Sequence, residues 1–328
     1  MAEVPERNLA FELARVTEAA AMAGARWQGR GNKEAADQAA VDGMRLILNS
    51  LDIDGTIAIG EGEKDHAPML YNGEKVGTGH GEAWDVAVDP IDGTTLTAAG
   101  IPGAIAVIAL ATRGTMYAPG SLVYMDKIAV GPEAVGKVDL DAPIDHNLRQ
   151  VAKARGKDLN DLTAVILNRP RNQRYVDAVR AAGARIRLIN DGDVAGAIAT
   201  TEEHTGIDVL LGIGGSPEAV ISASALSCVG AEIQCRLWPR DDRERDYAAE
   251  RGLDLEQVLT TRDLVDCDRV LFAATGVTGG EFLDGVRFVA DGAITHSIMM
   301  RAKTGSIRHM STRHDFTKLR KLSTLIFD

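Results

Sequence analysis

Clustered carboxylates carry most of the chemistry that this sequence could perform. The segment Trp84-Asp85-Val86-Ala87-Val88-Asp89-Pro90-Ile91-Asp92-Gly93-Thr94 reads as a strand that runs into Asp89 and is stopped by Pro90. Asp92-Gly93 then turns the chain and brings Asp92 and the Thr94 hydroxyl near Asp89. Two carboxylates on such a turn suit hard divalent cations, which prefer oxygen ligands. Asp-Pro and Asp-Gly are also ordinary turn chemistry. This segment alone leaves both readings open.

A second acidic run, Gly60-Glu61-Gly62-Glu63-Lys64-Asp65, follows the apolar Ile57-Ala58-Ile59 and so sits at a strand end. In extended chain Glu61 and Glu63 point to the same side. Like charges repel without a counterion, and a metal would explain their company; a solvated acidic loop is the alternative. A third feature is Ile213-Gly214-Gly215-Ser216-Pro217-Glu218. Its glycines end a strand, Pro217 suits a first helical turn, and Glu218 follows. The helix dipole alone also favours a glutamate there. Asp37 lies four residues before Val41, on the apolar stripe Val41, Met44, Leu48 of a helix spanning Glu34–Asn49. A carboxylate on a buried stripe is costly unless it is paired or binds a metal, although a residue near a helix start also serves as a cap.

Taken together, Asp37, Glu61, Asp89, Asp92 and Glu218 form an all-oxygen set for Mg²⁺ or Mn²⁺. Histidine and cysteine are absent from it, which argues against zinc. Cations held there would clamp a phosphate and lower the pKa of a water, with Thr94 placed to orient that water. The chain has no GxxxxGK[ST] and no GxSxG, and GIGGSP is not GxGxxG. P-loop hydrolysis, acyl transfer and dinucleotide binding therefore lose ground.

The elements that must position these groups follow from periodicity. A first helix covers Leu9–Met22. Strands are expected over Thr56–Ile59, Trp84–Val88, Ala104–Ala111 and Leu122–Val130, and Gly131–Asp145 reads as a loop with a short strand. Beyond residue 160, strands at Thr163–Leu167, Arg185–Ile189, Ile207–Leu211 and Arg269–Ala273 alternate with helices at Arg174–Ala182, Asp193–Glu203 and Pro217–Val229. Such alternation predicts a parallel sheet covered on both faces, with ligands beyond the carboxyl ends of its strands. The tail Gly285–Met310 reads as hairpins with turns at Asp284-Gly285 and Asp291-Gly292.

The 328 residues carry a formal net charge of −11, which disfavours a nucleic-acid coat. The longest apolar stretch, Gly103 to Thr112, is about half a membrane span. The opening MAEVPERNLAFEL lacks the pattern of a signal peptide. Cys228, Cys235 and Cys267 are too few and too dispersed for a disulfide framework, so buried reduced thiols are expected. Ile298-Met299-Met300 reads as core or as a subunit contact.

DPIDGT after an upstream glutamate pair resembles the lithium-sensitive, metal-dependent phosphatase superfamily. The ordered motifs RVTEAAAMAGARWQGRGNKEAADQAAVDGMR, IGEGEKDHAPMLYNGEKVGTG, YMDKIAVGP, RPR, DGDVAGAI, GIGGSPEA, FAATGVTGG and THSIMMRAKTGSIR narrow this. Over nearly its whole length the chain resembles class II (GlpX-type) fructose-1,6-bisphosphatases. The resemblance implies an α/β sugar-phosphatase fold: a layered sandwich of two domains, 1–160 and 161–328, with the metal site in the cleft between them. It implies Mg²⁺- or Mn²⁺-dependent hydrolysis of D-fructose 1,6-bisphosphate to D-fructose 6-phosphate and phosphate, a gluconeogenic step.

The family's metal ligands fall on Asp37, Glu61, Asp89, Asp92 and Glu218, and its catalytic threonine on Thr94. Lys33, Glu63 and Asp65 join the active site by the same resemblance. Substrate contacts fall on Asp92, Gly93, Thr94, Tyr124, Arg169, Pro170, Arg171, Asp191, Gly192, Asp193 and Gly215. A homo-oligomer, with a tetramer expected, and a cytoplasmic location are also implied. Asp92 stands where some relatives have Glu, Arg169 where some have Lys, and Asn32 where Asp is common. Trp84-Asp85 is not the superfamily's late metal-binding pair; Glu218 takes that role. A bifunctional fructose-1,6-/sedoheptulose-1,7-bisphosphatase or one that prefers the sedoheptulose ester, an inositol- or nucleotide-phosphate monophosphatase, and a non-catalytic sugar-phosphate-binding regulator are the competing readings.

Overall fold

The computed structural model describes residues 9–62 and 69–321. Helix α1 (Ala10–Ala25) is rich in alanine and buried over most of its surface. Helix α2 (Lys33–Leu48) starts at Asn32, whose side chain accepts the Ala35 N–H at 3.0 Å. That cap satisfies one of the free donors of the first turn. The two helices pack on each other and cover one face of a sheet that opens with β1 (Ile53–Ile59), β2 (Lys75–Val76), β3 (Glu82–Asp92) and β4 (Ile105–Thr112). A short helix, α3 (Thr94–Ala99), follows β3 directly.

A second sheet is built from β5 (Tyr124–Val130), β6 (Thr163–Leu167), β7 (Arg185–Ile189), β8 (Val209–Gly215), β9 (Glu232–Leu237) and β10 (Leu259–Thr260), in the order β10-β9-β5-β8-β6-β7. Interleaved with it are α4 (Ile144–Ala154), α5 (Gln173–Ala182), α6 (Asp193–Ala199), α7 (Ser216–Val229) and α8 (Asp242–Arg251). The chain then returns to the first sheet with β11 (Leu271–Gly276), β12 (Arg287–Val289), β13 (Gly292–Arg301) and β14 (Ser306–Asp315). Among the described residues the first sheet has eight strands and the second six.

The cores order these elements into layers. One core joins α1 and α2 to the outer face of the first sheet. A second lies between the sheets and contains α6 and α7. A third joins the far face of the second sheet to α4 and α5. Helix α7 is apolar nearly all round because both of its flanks meet a sheet. No helix of the described residues is long and apolar enough to cross a membrane.

Several expectations are corrected here. Pro90 does not stop β3. The strand continues to Asp92, and its register against β4 slips between Asp89 (opposite Val107) and Asp92 (opposite Ile105). An extra residue on β3 makes a bulge, a setting in which a residue without an N–H is tolerated. The second sheet is only partly parallel: β6 runs parallel to β7 and β8, while β5, β9 and β10 pair antiparallel. The strand expected at Arg269–Ala273 is β11, which lies in the other sheet between β4 and β13. Sheet membership therefore does not divide at residue 160. Among Gly131–Asp145 there is a 3₁₀ turn at Pro132–Ala134 and no strand. Asp291-Gly292 does belong to the turn joining β12 to β13, but Asp284-Gly285 precedes β12. Ile298, Met299 and Met300 are buried core residues.

Candidate active site

Parallel pairing of β1 with β3 brings two carboxyl-terminal strand ends to one edge. Glu61 follows the end of β1, and Asp89 and Asp92 lie at the end of β3. In the second sheet β6, β7 and β8 also run parallel, so their carboxyl ends share an edge. Residues 168–172, 190–193 and 215–218 follow those ends. Tyr124, the first residue of antiparallel β5, sits opposite Gly215. Asp37 comes from α2, and Glu218 from the first turn of α7.

The electrostatics show which of these carboxylates are neighbours. Burial, then Asp92, Glu61, Glu218 and Asp37, hold Asp89 well above the usual carboxylate range. Asp92 is raised by burial and by Asp193, Glu218 and Asp191, although the Ala195 N–H donates to its Oδ2 at 3.3 Å. Burial, Asp37 and Glu218 push Glu61 up to about 8. Burial and Asp193 push Glu218 up to about 7, against the opposing pull of Lys127. Burial raises Asp37, and Lys33 opposes it from one turn earlier. Asp89 thus lies within Coulombic reach of the other four carboxylates. Among the described residues, however, no three His, Cys, Asp or Glu side chains stand close enough to hold one ion in their present positions.

Two observations fit this donor set to a hard divalent cation. It offers only carboxylate oxygens. Glu218 Oε2 is also buried with no hydrogen-bond partner, a costly arrangement for an acceptor. The backbone makes room for that side chain: a Cβ at Gly215 would lie 1.8 Å from Glu218 Oε2. A positive charge among these groups would reverse the repulsion that now raises their pKa values.

Thr94 begins α3, immediately after Gly93, whose φ of +104° favours glycine. Its side chain is half-buried. Lys33, the first residue of α2, is exposed. Glu63 and Asp65 lie outside the described residues. Tyr124 packs against Trp238, with ring centroids 6.2 Å apart. The Arg171 guanidinium lies 4.1 Å from the Tyr124 ring centre, and its Nε donates to the Ile213 carbonyl at 3.1 Å. Arg169 has different surroundings. It lines a hollow with Asn168, Pro170, Gln173, Arg180 and Leu188, and donates to the Asn168 carbonyl. Gly192 caps α6 in a left-handed conformation, between Asp191 and Asp193.

Asp85 has a structural task. Its Oδ2 accepts the backbone N–H groups of Gly114, Thr115 and Met116 at 2.7–3.2 Å. All three cysteines are free, and burial pushes the Cys228 and Cys235 thiols up to about 12. Neither is a thiolate at neutral pH.

Two residues that the sequence reading passed over hold the site together. The buried Asn172 side chain donates to the Leu167 and Ile213 carbonyls and accepts the Ile213 N–H, tying the ends of β6 and β8 together beside Arg171. Lys127 is 2% exposed, and its Nζ donates to Asp193 Oδ2 at 2.7 Å. Its signal was present: Met125, Lys127 and Ala129 alternate onto one buried face of β5, and a lysine there requires an acidic partner.

Comparison with known proteins places these features in a family. The model of the family described as bacterial fructose-1,6-bisphosphatase, glpX-encoded, matches residues 7–314. The chain is 45% identical to fructose-1,6-bisphosphatase 1 class 2 of Escherichia coli (strain K12) over 322 residues, covering 94% of this chain and 95% of that protein. The same identity and coverage hold for fructose-1,6-bisphosphatase class 2 of Shigella flexneri.

Proposed function

The chain belongs to the family of bacterial, glpX-encoded fructose-1,6-bisphosphatases, and on that premise we propose that it hydrolyses D-fructose 1,6-bisphosphate. Water replaces the sugar oxygen at the 1-phosphate; the phosphorus–oxygen ester bond breaks, and D-fructose 6-phosphate and phosphate are released. The observations that support the chemistry are the buried, unpartnered Glu218 Oε2 and the buried Asp89 carboxyl, raised by Asp92, Glu61, Glu218 and Asp37. Asp37, Glu61, Asp89, Asp92 and Glu218 would hold Mg²⁺ or Mn²⁺, which supplies charge neutralisation at phosphorus and a more acidic water.

The remaining steps belong to the chain's own side chains. The Thr94 hydroxyl orients the attacking water. Asp191 and Asp193 accept hydrogen bonds from sugar hydroxyls. The Arg171 guanidinium, held over Tyr124, binds the distal phosphate with paired donors. Arg169, on the hollow it shares with Arg180, is assigned to the same phosphate by family resemblance. Lys33 lends positive charge at the mouth of the site; Glu63 and Asp65 are assigned to it by family resemblance alone. The lithium-sensitive phosphatase superfamily, a cytoplasmic location and a homo-oligomeric state complete the proposal.

A panel of fructose 1,6-bisphosphate, sedoheptulose 1,7-bisphosphate, inositol monophosphate and nucleoside monophosphates, each with Mg²⁺ and with Mn²⁺, tests it. Phosphate release is expected from fructose 1,6-bisphosphate, abolished by chelator and restored by metal. Preference for a monophosphate, or activity indifferent to chelator, would overturn it.

A further inference from the structure

The one lysine buried between the two sheets among the described residues has no part in the mechanism above. Lys127 lies on β5 with Met125 and Ala129, facing the layer that holds α6 and α7. Removing an ammonium from water is expensive, and a buried ion pair is a poor source of stability when an apolar pair could fill the same space. Asp193 nevertheless meets Lys127 at 2.7 Å, with both side chains almost fully buried. The surrounding chain is shaped to keep them. A Cβ at Gly214 would come within 2.0 Å of Asp193 Oδ2 and 3.1 Å of Lys127 Nζ. Asp193 opens α6 directly after Asp191-Gly192, the loop assigned to the sugar. Glu218 is close enough for Lys127 to pull on its carboxyl.

Resting on the proposed function, we infer that Lys127 is a positioning residue: its ammonium binds Asp193 Oδ2 and fixes that carboxylate so that Oδ1 meets a sugar hydroxyl. Asp193 without this partner would be drawn to other donors, or would turn away from Asp92 and Glu218, whose negative charge it faces. Lys127 touches neither substrate nor metal. Its effect therefore belongs to substrate binding and operates through one carboxylate.

A cycle of three variants tests this, with phosphate release from fructose 1,6-bisphosphate as the activity. Lys127→Met should raise KM about tenfold, the scale of one lost charge-assisted hydrogen bond, and leave kcat within about threefold. Asp193→Asn should do the same, and Lys127→Met/Asp193→Asn should be no worse than Asp193→Asn. Mn²⁺ binding, read by electron paramagnetic resonance of the free ion, should be as tight as in wild type or tighter. A KM for Lys127→Met within about twofold of wild type would overturn the inference, as would a double variant showing the product of both single effects or a loss of Mn²⁺ binding. Lys127→Met leaves a buried aspartate unpaired and Asp193→Asn a buried ammonium, so both single variants are at risk of not folding. The double variant carries no unpaired buried charge; if it alone folds, its KM decides, a value about tenfold above wild type with kcat retained supporting the inference and a wild-type KM overturning it. A wild-type chain that releases no phosphate from this sugar would instead refute the proposed function.

Discussion

Gly214→Ala should damage the site without replacing any side chain assigned to it. The added methyl would sit 2.0 Å from Asp193 Oδ2, where ordinary contact begins near 3.4 Å. At Gly214 strand β8 is paired with Met125 of β5, which holds its backbone in place. The carboxylate must move by about 1.4 Å, and its 2.7 Å bond to Lys127 is then lost. Overpacking alone costs about 1–3 kcal/mol. Breaking a buried ion pair costs about 3–5 kcal/mol more, about 4–8 kcal/mol in all. At about 2.1 cal/mol/K per residue, unfolding entropy for a chain of this length is roughly 0.7 kcal/mol/K, and Tm should fall by roughly 6–11 °C. KM should rise as it does for Lys127→Met. Gly196→Ala is the control, because its methyl would meet only flexible side chains of Ile189, Leu210 and Val165 at 3.3–3.5 Å. Scanning calorimetry and phosphate release measure both variants. A Gly214→Ala protein with the Tm and KM of wild type would refute the reasoning that glycine is there to accommodate the ion pair.

Other outcomes follow from particular side chains. Asp208 is fully buried and meets Arg155 at 3.0 Å, Lys157 at 2.7 Å and the Thr163 N–H at 2.8 Å. Asp208→Ala should cost about 3–5 kcal/mol in denaturant unfolding while kcat and KM of the remaining folded enzyme stay unchanged. Arg171→Ala should raise KM with little change in kcat, because distal-phosphate contacts are equally present in ground and transition states; steady-state kinetics checks this. Burial holds Glu18 above its ordinary 4.5, so the folded state binds that proton more tightly than the unfolded chain. Its contribution to stability is complete below about pH 4.5 and lost as pH rises through the raised value. Tm of Glu18→Gln relative to wild type should therefore improve as pH rises above about 4.5.

Local pattern made much of this molecule legible. The strands Thr163–Leu167 and Arg185–Ile189 match their expected bounds, because short β-branched runs between helices have few alternatives. The carboxylates could be gathered by type, and the other four do perturb Asp89. Non-local pairing was not legible. Leu271–Gly276 looks like one more strand of the preceding β/α series, yet its partners are β4, some 160 residues earlier, and β13. Nothing in a six-residue apolar run encodes which edge it joins. Pro90 misled because a bulge lets a strand pass a residue that cannot donate. Lys127 was overlooked because a lone lysine reads as solvated until the alternation of its strand is taken seriously.

The central claim is that five carboxylates, from α2, the residues after β1, β3 and α7, hold divalent cations. Anomalous scattering from crystals of the protein grown with Mn²⁺ tests it most directly. The account predicts a peak bonded to oxygens of Asp89, Asp92 and Glu218, at about 2.1–2.3 Å, with Thr94 beside it. No peak among these side chains, or one held by groups elsewhere, would contradict it.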